Sequence, residues 1–133
     1  MLNRASKFLH SALPLLALLL LSSTVAPSLR ADCHPKLVSP SAIPAYAWKT
    51  LDYVRTYHSA PPGFQGGRYF GNYGSKGEAK LPLEANSLRI SYLEWDVHRK
   101  RLFRSRGPER IITGSDGRAW YTADHYCTFT EMK

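Results

Sequence analysis

The run Pro-Pro-Gly at 61–63 divides the chain into two kinds of hydrophobic pattern. Before it, the apolar residues Ala47, Leu51 and Val54 recur at spacings of four and three, which predicts a helix over about 43–58. Proline lacks a backbone N–H and glycine tolerates non-helical angles, so the run ends this helix. The segments after it either alternate apolar and polar residues or consist of turn-forming residues. The chain is therefore predicted to be α+β, with one main N-terminal helix packed on a twisted antiparallel sheet.

Several short segments after this boundary predict the strands of that sheet. They lie at about 68–71, 88–97, 110–113, 120–121 and 126–130. The clearest alternation is in 88–97, where Tyr92 and Glu94 share one face while Trp95 and Val97 share the other. We interpret Trp95 as a core anchor, together with Trp48 and Trp120.

Residues 1–28 have the three parts of a secretory signal peptide. Arg4 and Lys7 come first, an apolar run follows at 12–21, and small residues lead to a cleavage site expected within 26–31. The alternative is an uncleaved anchor, although the run is shorter than the roughly 20 residues that a spanning helix needs. The sequence thus predicts a protein exported to the extracellular space.

The rest of the chain is predicted to form an extended arm at 29–42 and one folded domain at 43–133. The arm holds Cys33, and a late segment holds Cys127. In an oxidising compartment these two cysteines can form one disulfide, and the alternative is a pair of free thiols. Lysine and arginine outnumber acidic residues by 18 to 10. Such a charge favours polyanions such as RNA or anionic lipid, but it does not indicate a fold.

Two carboxylates in the alternating segment, Glu94 and Asp96, are predicted to share a sheet face and to repel each other unless cations lie nearby. Arg106 and Arg110 can supply those cations, since Arg110 begins the next predicted strand. On these residues alone, a salt-bridged surface without chemistry is an equally good interpretation. His125, at the predicted start of the last strand, adds a proton donor and favours a catalytic site.

A carboxylate, a histidine and arginines on one face match the needs of RNA cleavage. The ribose 2′-OH attacks its own phosphorus, so a base must take the 2′ proton and an acid must protonate the leaving 5′ oxygen. A carboxylate can be ionised while an imidazole is still protonated in mildly acidic solution. Arginines donate paired hydrogen bonds to the phosphate oxygens as charge develops. This chemistry requires no metal and no cofactor.

In the order and spacing of its motifs, the sequence resembles the guanyl-specific microbial ribonucleases, the family of barnase and its secreted bacterial relatives. The resemblance extends from about 45 to 129. The matching segments are 53–58, 70–72, 78–82, 94–97, the pair Arg106 and Arg110, and 124–129. Any one of these motifs is weak, whereas their order and spacing together are specific. The domain at 43–133 is thus identified as a ribonuclease domain.

The resemblance implies a role for each candidate catalytic residue. Glu94 would be the general base and His125 the general acid. Arg106 and Arg110 would bind the scissile phosphate, with Tyr126 beside it. The implied reaction cleaves single-stranded RNA 3′ of guanosine, first to a 2′,3′-cyclic phosphate and then, by hydrolysis, to a 3′-phosphate. Asp96 would orient the arginines.

The resemblance also implies a guanine-recognition loop. Glu78 would accept hydrogen bonds from the adjacent N1–H and 2-amino donors of guanine, which adenine lacks. Backbone groups near Gly71 and Asn72 would bind the other edge, and Phe70 would shape the site or stack on the base. The chain departs from the family by the insertion 73–77 before Glu78. Barnase also has a lysine near the phosphate, in a stretch that this chain lacks, and Arg68 is a candidate replacement.

The expected partners follow from this identification. They are single-stranded RNA and, by resemblance only, an acidic protein inhibitor of the barstar type. The mature protein is expected to be a monomer without stable membrane association. The alternative function is a basic secreted module that binds RNA or an anionic surface without cutting it.

Overall fold

The computed structural model describes residues 33–133. The predicted signal peptide at 1–28 lies outside the described residues, as does the beginning of the predicted arm. In the part that is described, no helix has the length and apolar character needed to cross a bilayer.

The main helix, α1, is Ala45–Tyr57 and lies inside the predicted range. Pro44 precedes it in an extended conformation, a place where the missing N–H of proline costs nothing. The helix ends at His58, whose left-handed φ of 52° turns the chain away. Its buried face carries Ala47, Thr50, Leu51 and Val54. This face carries the apolar positions from which the helix was predicted.

Five antiparallel strands form the main sheet. In their spatial order across the sheet they are Gly66–Phe70 (β1), Tyr92–Asp96 (β4), Arg110–Gly114 (β5), Ala119–Thr122 (β6) and Thr130–Glu131 (β7). Two short strands, β2 (Glu84–Ala85) and β3 (Leu88–Arg89), form a separate hairpin. One helix with an antiparallel sheet confirms the predicted fold class.

The sheet is covered on both faces. One face packs on α1 through a core that includes Trp95, Val97, Ile111 and Tyr121. The other face carries a second core of Leu81, Ile90, Tyr92, Ile112, Trp120 and Tyr126. Trp95 and Trp120 are buried, and Trp48 packs at the edge of the first core, as predicted. The side chains of Glu94 and Asp96 share their face with the second core, because alternate residues of a strand point to the same side.

Two strand predictions are wrong in detail. The predicted strand 88–97 is two strands, because 88–89 pair within the small hairpin and only 92–96 join the main sheet. The predicted strand 126–130 is irregular up to Thr130, where β7 begins. His125, predicted at the start of that strand, instead lies in a turn with Tyr126, where their φ are 56° and 74°. Thr122 accepts a hydrogen bond from the backbone N–H of Tyr126 at 3.0 Å, which holds this turn closed.

The arm is attached to the turn at 124–128, which we call the acid turn because it carries His125, the predicted general acid. A disulfide joins Cys33 to Cys127 and confirms the predicted pairing. The backbone N–H of Lys36 donates to Asp124 at 2.7 Å. Asp124 also accepts from the backbone N–H of Thr128 at 2.9 Å and from its hydroxyl at 2.6 Å. The arm therefore braces the acid turn by one covalent bond and by two hydrogen bonds at Lys36, whose carbonyl also accepts from the Thr128 hydroxyl at 3.3 Å.

Candidate active site

The register of the sheet brings together side chains that are distant in sequence. Arg68 of β1 pairs directly with Glu94 of β4, and Asp96 at the end of β4 pairs with Arg110 of β5. Directly paired residues point to the same face of a sheet. Two carboxylates and two arginines thus lie on the face opposite α1, next to the second core.

Glu94 is surrounded by hydrogen-bond donors and cations. Its Oε1 lies 3.0 Å from Arg68 Nη2 and 3.5 Å from Arg106 Nη2, and its Oε2 accepts a hydrogen bond from the Tyr126 hydroxyl. The side chain keeps only 13% of its surface exposed. Burial and the neighbouring Glu94 carboxylate raise the pKa of Tyr126, so its hydroxyl stays protonated and remains a donor. A carboxylate held from three directions is well placed to receive a proton from a bound ribose.

Asp96 holds the two arginines in position. Arg106 donates to it through Nε at 2.9 Å and also through Nη2, and Arg110 Nε lies 3.2 Å from Oδ1. Burial raises the pKa of Asp96 and the charge of Arg110 opposes that rise. Arg110 also donates through Nη1 to the carbonyl oxygens of Gly107 and Glu109 at 2.9 and 2.6 Å. The structure therefore agrees with the prediction that Asp96 orients the arginines.

His125 shares a cavity with both arginines. The cavity has a volume of about 530 Å³ and is lined by Ser105, Arg106, Gly107, Pro108, Arg110 and His125. The backbone N–H of His125 donates to the carbonyl of Pro108 at 3.2 Å, and its ring lies 4.6 Å from that of Tyr126. Two guanidinium groups and an imidazole around one open cavity can bind a phosphate and donate a proton to it. We call this the phosphate cavity.

The predicted recognition residues lie on a loop, 71–82, that is bound to the acid turn. Asn72 is buried and its side-chain amide binds Leu81, donating to its carbonyl at 2.9 Å and accepting from its N–H at 2.8 Å. The N–H of Ala79 donates to the carbonyl of Tyr126 at 2.9 Å. Glu78 is half-buried beside this link. The side-chain amide of Asn72 thus holds the two ends of this loop together.

The insertion 73–77 contains a short 3₁₀ turn at Ser75–Gly77. The ring of Tyr73 lies over Gly71, so close that a Cβ at Gly71 would stand 2.0 Å from it. Phe70, at the end of β1, packs on the ring of Tyr126 with 5.0 Å between centroids. Phe70 therefore connects the recognition loop to the residue that donates to Glu94.

The sequence candidates fall into two groups in the structure. Glu94 accepts a hydrogen bond from Tyr126 and lies 3.5 Å from Arg106. The phosphate cavity is lined by Arg106, Arg110 and His125. Of the predicted recognition residues, Phe70 ends β1, and Gly71, Asn72 and Glu78 lie on the loop that follows it. Sequence reasoning gave Arg68 little weight, and the structure places it against Glu94. Arg68 reaches Glu94 because β1 pairs with β4 in this register, and no local sequence pattern predicts that pairing.

Within residues 33–133, no group of three or more histidine, cysteine or acidic side chains is placed to hold a metal ion.

Comparison with known proteins gives two kinds of match. A family model described as ribonuclease matches residues 26–133. Solved structures of ribonuclease Sa2 are also similar. The structure with guanosine-2′-cyclophosphate is 28% identical, covers 72% of this chain and 92% of its own, and has a TM-score of 0.46. The structure with exo-2′,3′-cyclophosphorotioate is 29% identical, covers 72% and 93%, and has a TM-score of 0.49. A search of curated proteins finds no match.

Proposed function

Since the chain belongs to the ribonuclease family, whose model matches residues 26–133, we propose that it is a guanine-preferring endoribonuclease that cleaves single-stranded RNA. The observation that carries this proposal is the placement of Glu94. It is held by Arg68, Arg106 and Tyr126, and Arg106 in turn lines the phosphate cavity with Arg110 and His125. A proton acceptor and a proton donor thus flank two guanidinium groups.

In the first step, Glu94 takes the proton of the ribose 2′-OH, and the 2′ oxygen forms a bond to phosphorus. The bond from phosphorus to the 5′ oxygen breaks, and His125 protonates that oxygen as it leaves. Arg106 and Arg110 stabilise the charge that gathers on the phosphoryl oxygens. Because the nucleophile is the 2′-OH, DNA is not a substrate.

In the second step the proton transfers are reversed. His125 takes a proton from water, whose oxygen bonds to phosphorus, and Glu94 returns a proton to the departing 2′ oxygen. The product is a 3′-phosphate. The same two side chains therefore serve both steps, each once as acid and once as base.

We further propose that Glu78 gives the preference for guanine. It stands on the loop that Asn72 and Leu81 hold closed and that Ala79 ties to Tyr126. A carboxylate there would accept from the N1–H and 2-amino donors of guanine. A site built for paired donors rejects a base that lacks them, because its acceptor would be left unpaired.

The proposed setting is extracellular, after removal of the first 28 residues or so. The signal-like pattern at 1–28 and the Cys33–Cys127 disulfide both support it. N-terminal sequencing of the protein recovered from the medium of expressing cells tests it, and protein retained with an intact N-terminus would refute it. The acidic inhibitor and the monomeric state stay predictions.

Product analysis on a defined oligoribonucleotide containing each base tests the function. We expect cleavage after guanosine, a cyclic phosphate that later becomes a 3′-phosphate, and no effect of EDTA. Glu94→Gln should lose about two to four decades of kcat, the usual range for a general base. Glu78→Gln should keep cleavage but reduce the preference for guanosine over adenosine.

Circular dichroism of each variant should match the parent, so that lost activity is not lost fold. Intact RNA after long exposure to the folded parent protein would contradict catalysis and favour the binding module. Full activity in a folded Glu94→Gln protein would contradict the assignment of the base.

A further inference from the structure

A second, larger cavity adjoins the phosphate cavity. Its volume is about 1070 Å³, just above the roughly 300–1,000 Å³ range of small-molecule sites. The two cavities share Ser105, Arg106 and Gly107 as a common wall. A ligand bound at Arg106 can therefore extend from one into the other. The proposed reaction takes place at one phosphate, in the phosphate cavity, and does not use the larger cavity.

Four cations line the larger cavity in addition to Arg106. They are Arg99, Lys100, Arg101 and Arg104. In the described part of the chain, none of the four is ion-paired with a carboxylate. All four are exposed to solvent, so each keeps its charge available for an anion. Cations gathered along a groove without partners are the electrostatic footprint of a polyanion site.

The walls of this cavity are held in place. His98 Nε2 lies 2.5 Å from Glu109 Oε2, and Glu109 also accepts from the Tyr46 hydroxyl at 2.5 Å. Burial raises the pKa of Glu109. Hydrogen bonds from Tyr121, Tyr46 and His98 outweigh the effect of burial, so the pKa of Glu109 is lowered overall. On the other wall, the N–H of Lys100 donates to the carbonyl of Gly63 at 2.8 Å. The loop between His98 and Glu109, which carries the four cations, thus begins and ends on fixed points.

The direction of β4 shows which part of an RNA would reach this cavity. Tyr92, at one end of the strand, pairs with Phe70 at the proposed guanine site. Asp96, at the other end, lines the larger cavity. Four residues of strand span about 13 Å. If guanosine lies at Phe70 and its 3′ phosphate lies in the phosphate cavity, the nucleotides on the 3′ side of the scissile bond would enter the larger cavity.

We propose that the larger cavity is a subsite for the RNA backbone on the 3′ side of the scissile bond, with Arg99, Lys100, Arg101 and Arg104 binding its phosphates. The inference rests on the proposed function for its orientation. It predicts that substrates extended at the 3′ end react faster than dinucleotides or substrates extended at the 5′ end.

The test uses the mature protein and a triple variant, Lys100→Gln, Arg101→Gln and Arg104→Gln. Its substrates are a guanosine dinucleotide and two oligoribonucleotides of equal length, extended on the 3′ or the 5′ side of one guanosine. We expect the variant to lose about tenfold in kcat/KM on the 3′-extended substrate and to keep its rate on the dinucleotide. The plot of log kcat/KM against log salt concentration should become shallower, its slope losing about 2 in magnitude. This is roughly 0.7 for each phosphate that the variant no longer neutralises.

Two control variants separate the subsite from its alternatives. Lys49→Gln, Arg55→Gln and Lys133→Gln together remove three exposed charges outside the cavity. Phe103→Ala alters the same loop at a side chain that is fully exposed and does not line the cavity. Both should behave like the parent. An equal loss in the first control would show a general charge effect and overturn the proposal, as would a gain that favours the 5′-extended substrate.

Binding separates a failed subsite from a failed catalytic proposal. Fluorescence anisotropy with a 3′-extended oligonucleotide, made uncleavable by a single 2′-deoxyguanosine, needs no turnover. Weaker binding by the cavity variant alone supports the subsite even if the protein cuts nothing. Parent-like binding of this probe by the cavity variant would overturn it. The proposal would also be overturned if the triple cavity variant bound the probe normally but no longer bound vesicles of anionic phospholipid. In that case the cations would bind a membrane surface rather than RNA.

Discussion

At the scale of single residues, the main finding is how many groups converge on Glu94. Arg68 approaches one carboxylate oxygen and the Tyr126 hydroxyl the other. Arg106 contacts both Glu94 and Asp96, so it connects the proposed base to the phosphate cavity. Arg68 is half exposed and belongs to neither core, so its removal should affect kcat rather than stability.

Arg68→Met should lower kcat about tenfold to a hundredfold on a guanosine dinucleotide, because it removes a cation 3.0 Å from Glu94. Arg68→Lys should recover part of the loss, since the charge returns without the fork of the guanidinium. Steady-state kinetics measure both. Tyr69→Ala is the matched control, as Tyr69 is exposed on the opposite face of the same strand. Unchanged kcat in Arg68→Met would show that the contact has no part in catalysis.

At the scale of elements, the acid turn depends on the segment that precedes the helix. Asp124 accepts hydrogen bonds from Lys36, Thr122 and Thr128, so it joins the arm to the turn that carries His125. Burial raises the pKa of Asp124, but these hydrogen bonds outweigh burial and lower it below its usual value. The carboxylate therefore stabilises the folded state in its ionised form.

Asp124→Asn should reduce the free energy of unfolding at neutral pH. A carboxylate with a lowered folded-state pKa contributes stability that is present above its unfolded pKa, near 3.8, and lost as the pH falls through the folded value. The difference between parent and variant should thus shrink as the pH falls below about 5 and through the lowered folded-state pKa. Urea unfolding across this range measures it. Asp52→Asn, on the exposed face of α1, is the control. A difference that does not vary with pH would contradict the assignment.

At the scale of the whole molecule, the sheet separates two tasks. Its α1 face holds the larger core, whereas the other face holds the second core and the proposed catalytic groups. The Cys33–Cys127 disulfide spans 94 positions and lies against both the acid turn and the recognition loop, where Cys33 Cβ is 3.5 Å from a Cβ built at Gly77. The disulfide therefore supports the two loops that would meet the substrate.

Replacing both cysteines by serine should lower the free energy of unfolding by about 2–5 kcal/mol, because the unfolded chain regains the entropy that a long closed loop removes. Thermal unfolding measures the loss. Reductant should lower the Tm of the parent protein to that of the double variant and leave the variant unchanged. Equal Tm values for parent and variant without reductant would contradict a stabilising disulfide.

Local patterns in the sequence determined the helix, the approximate strands, the fold class and the disulfide. The helix spacing of Ala47, Leu51 and Val54 and the alternation around Glu94 are set by neighbours in the chain, so they can be identified without coordinates. Only the tertiary structure placed Arg68 on Glu94, turned His125 and Tyr126 into left-handed backbone and tied Ala79 to the acid turn. These features depend on strand register and on hydrogen bonds between distant segments, which hydrophobic periodicity does not encode.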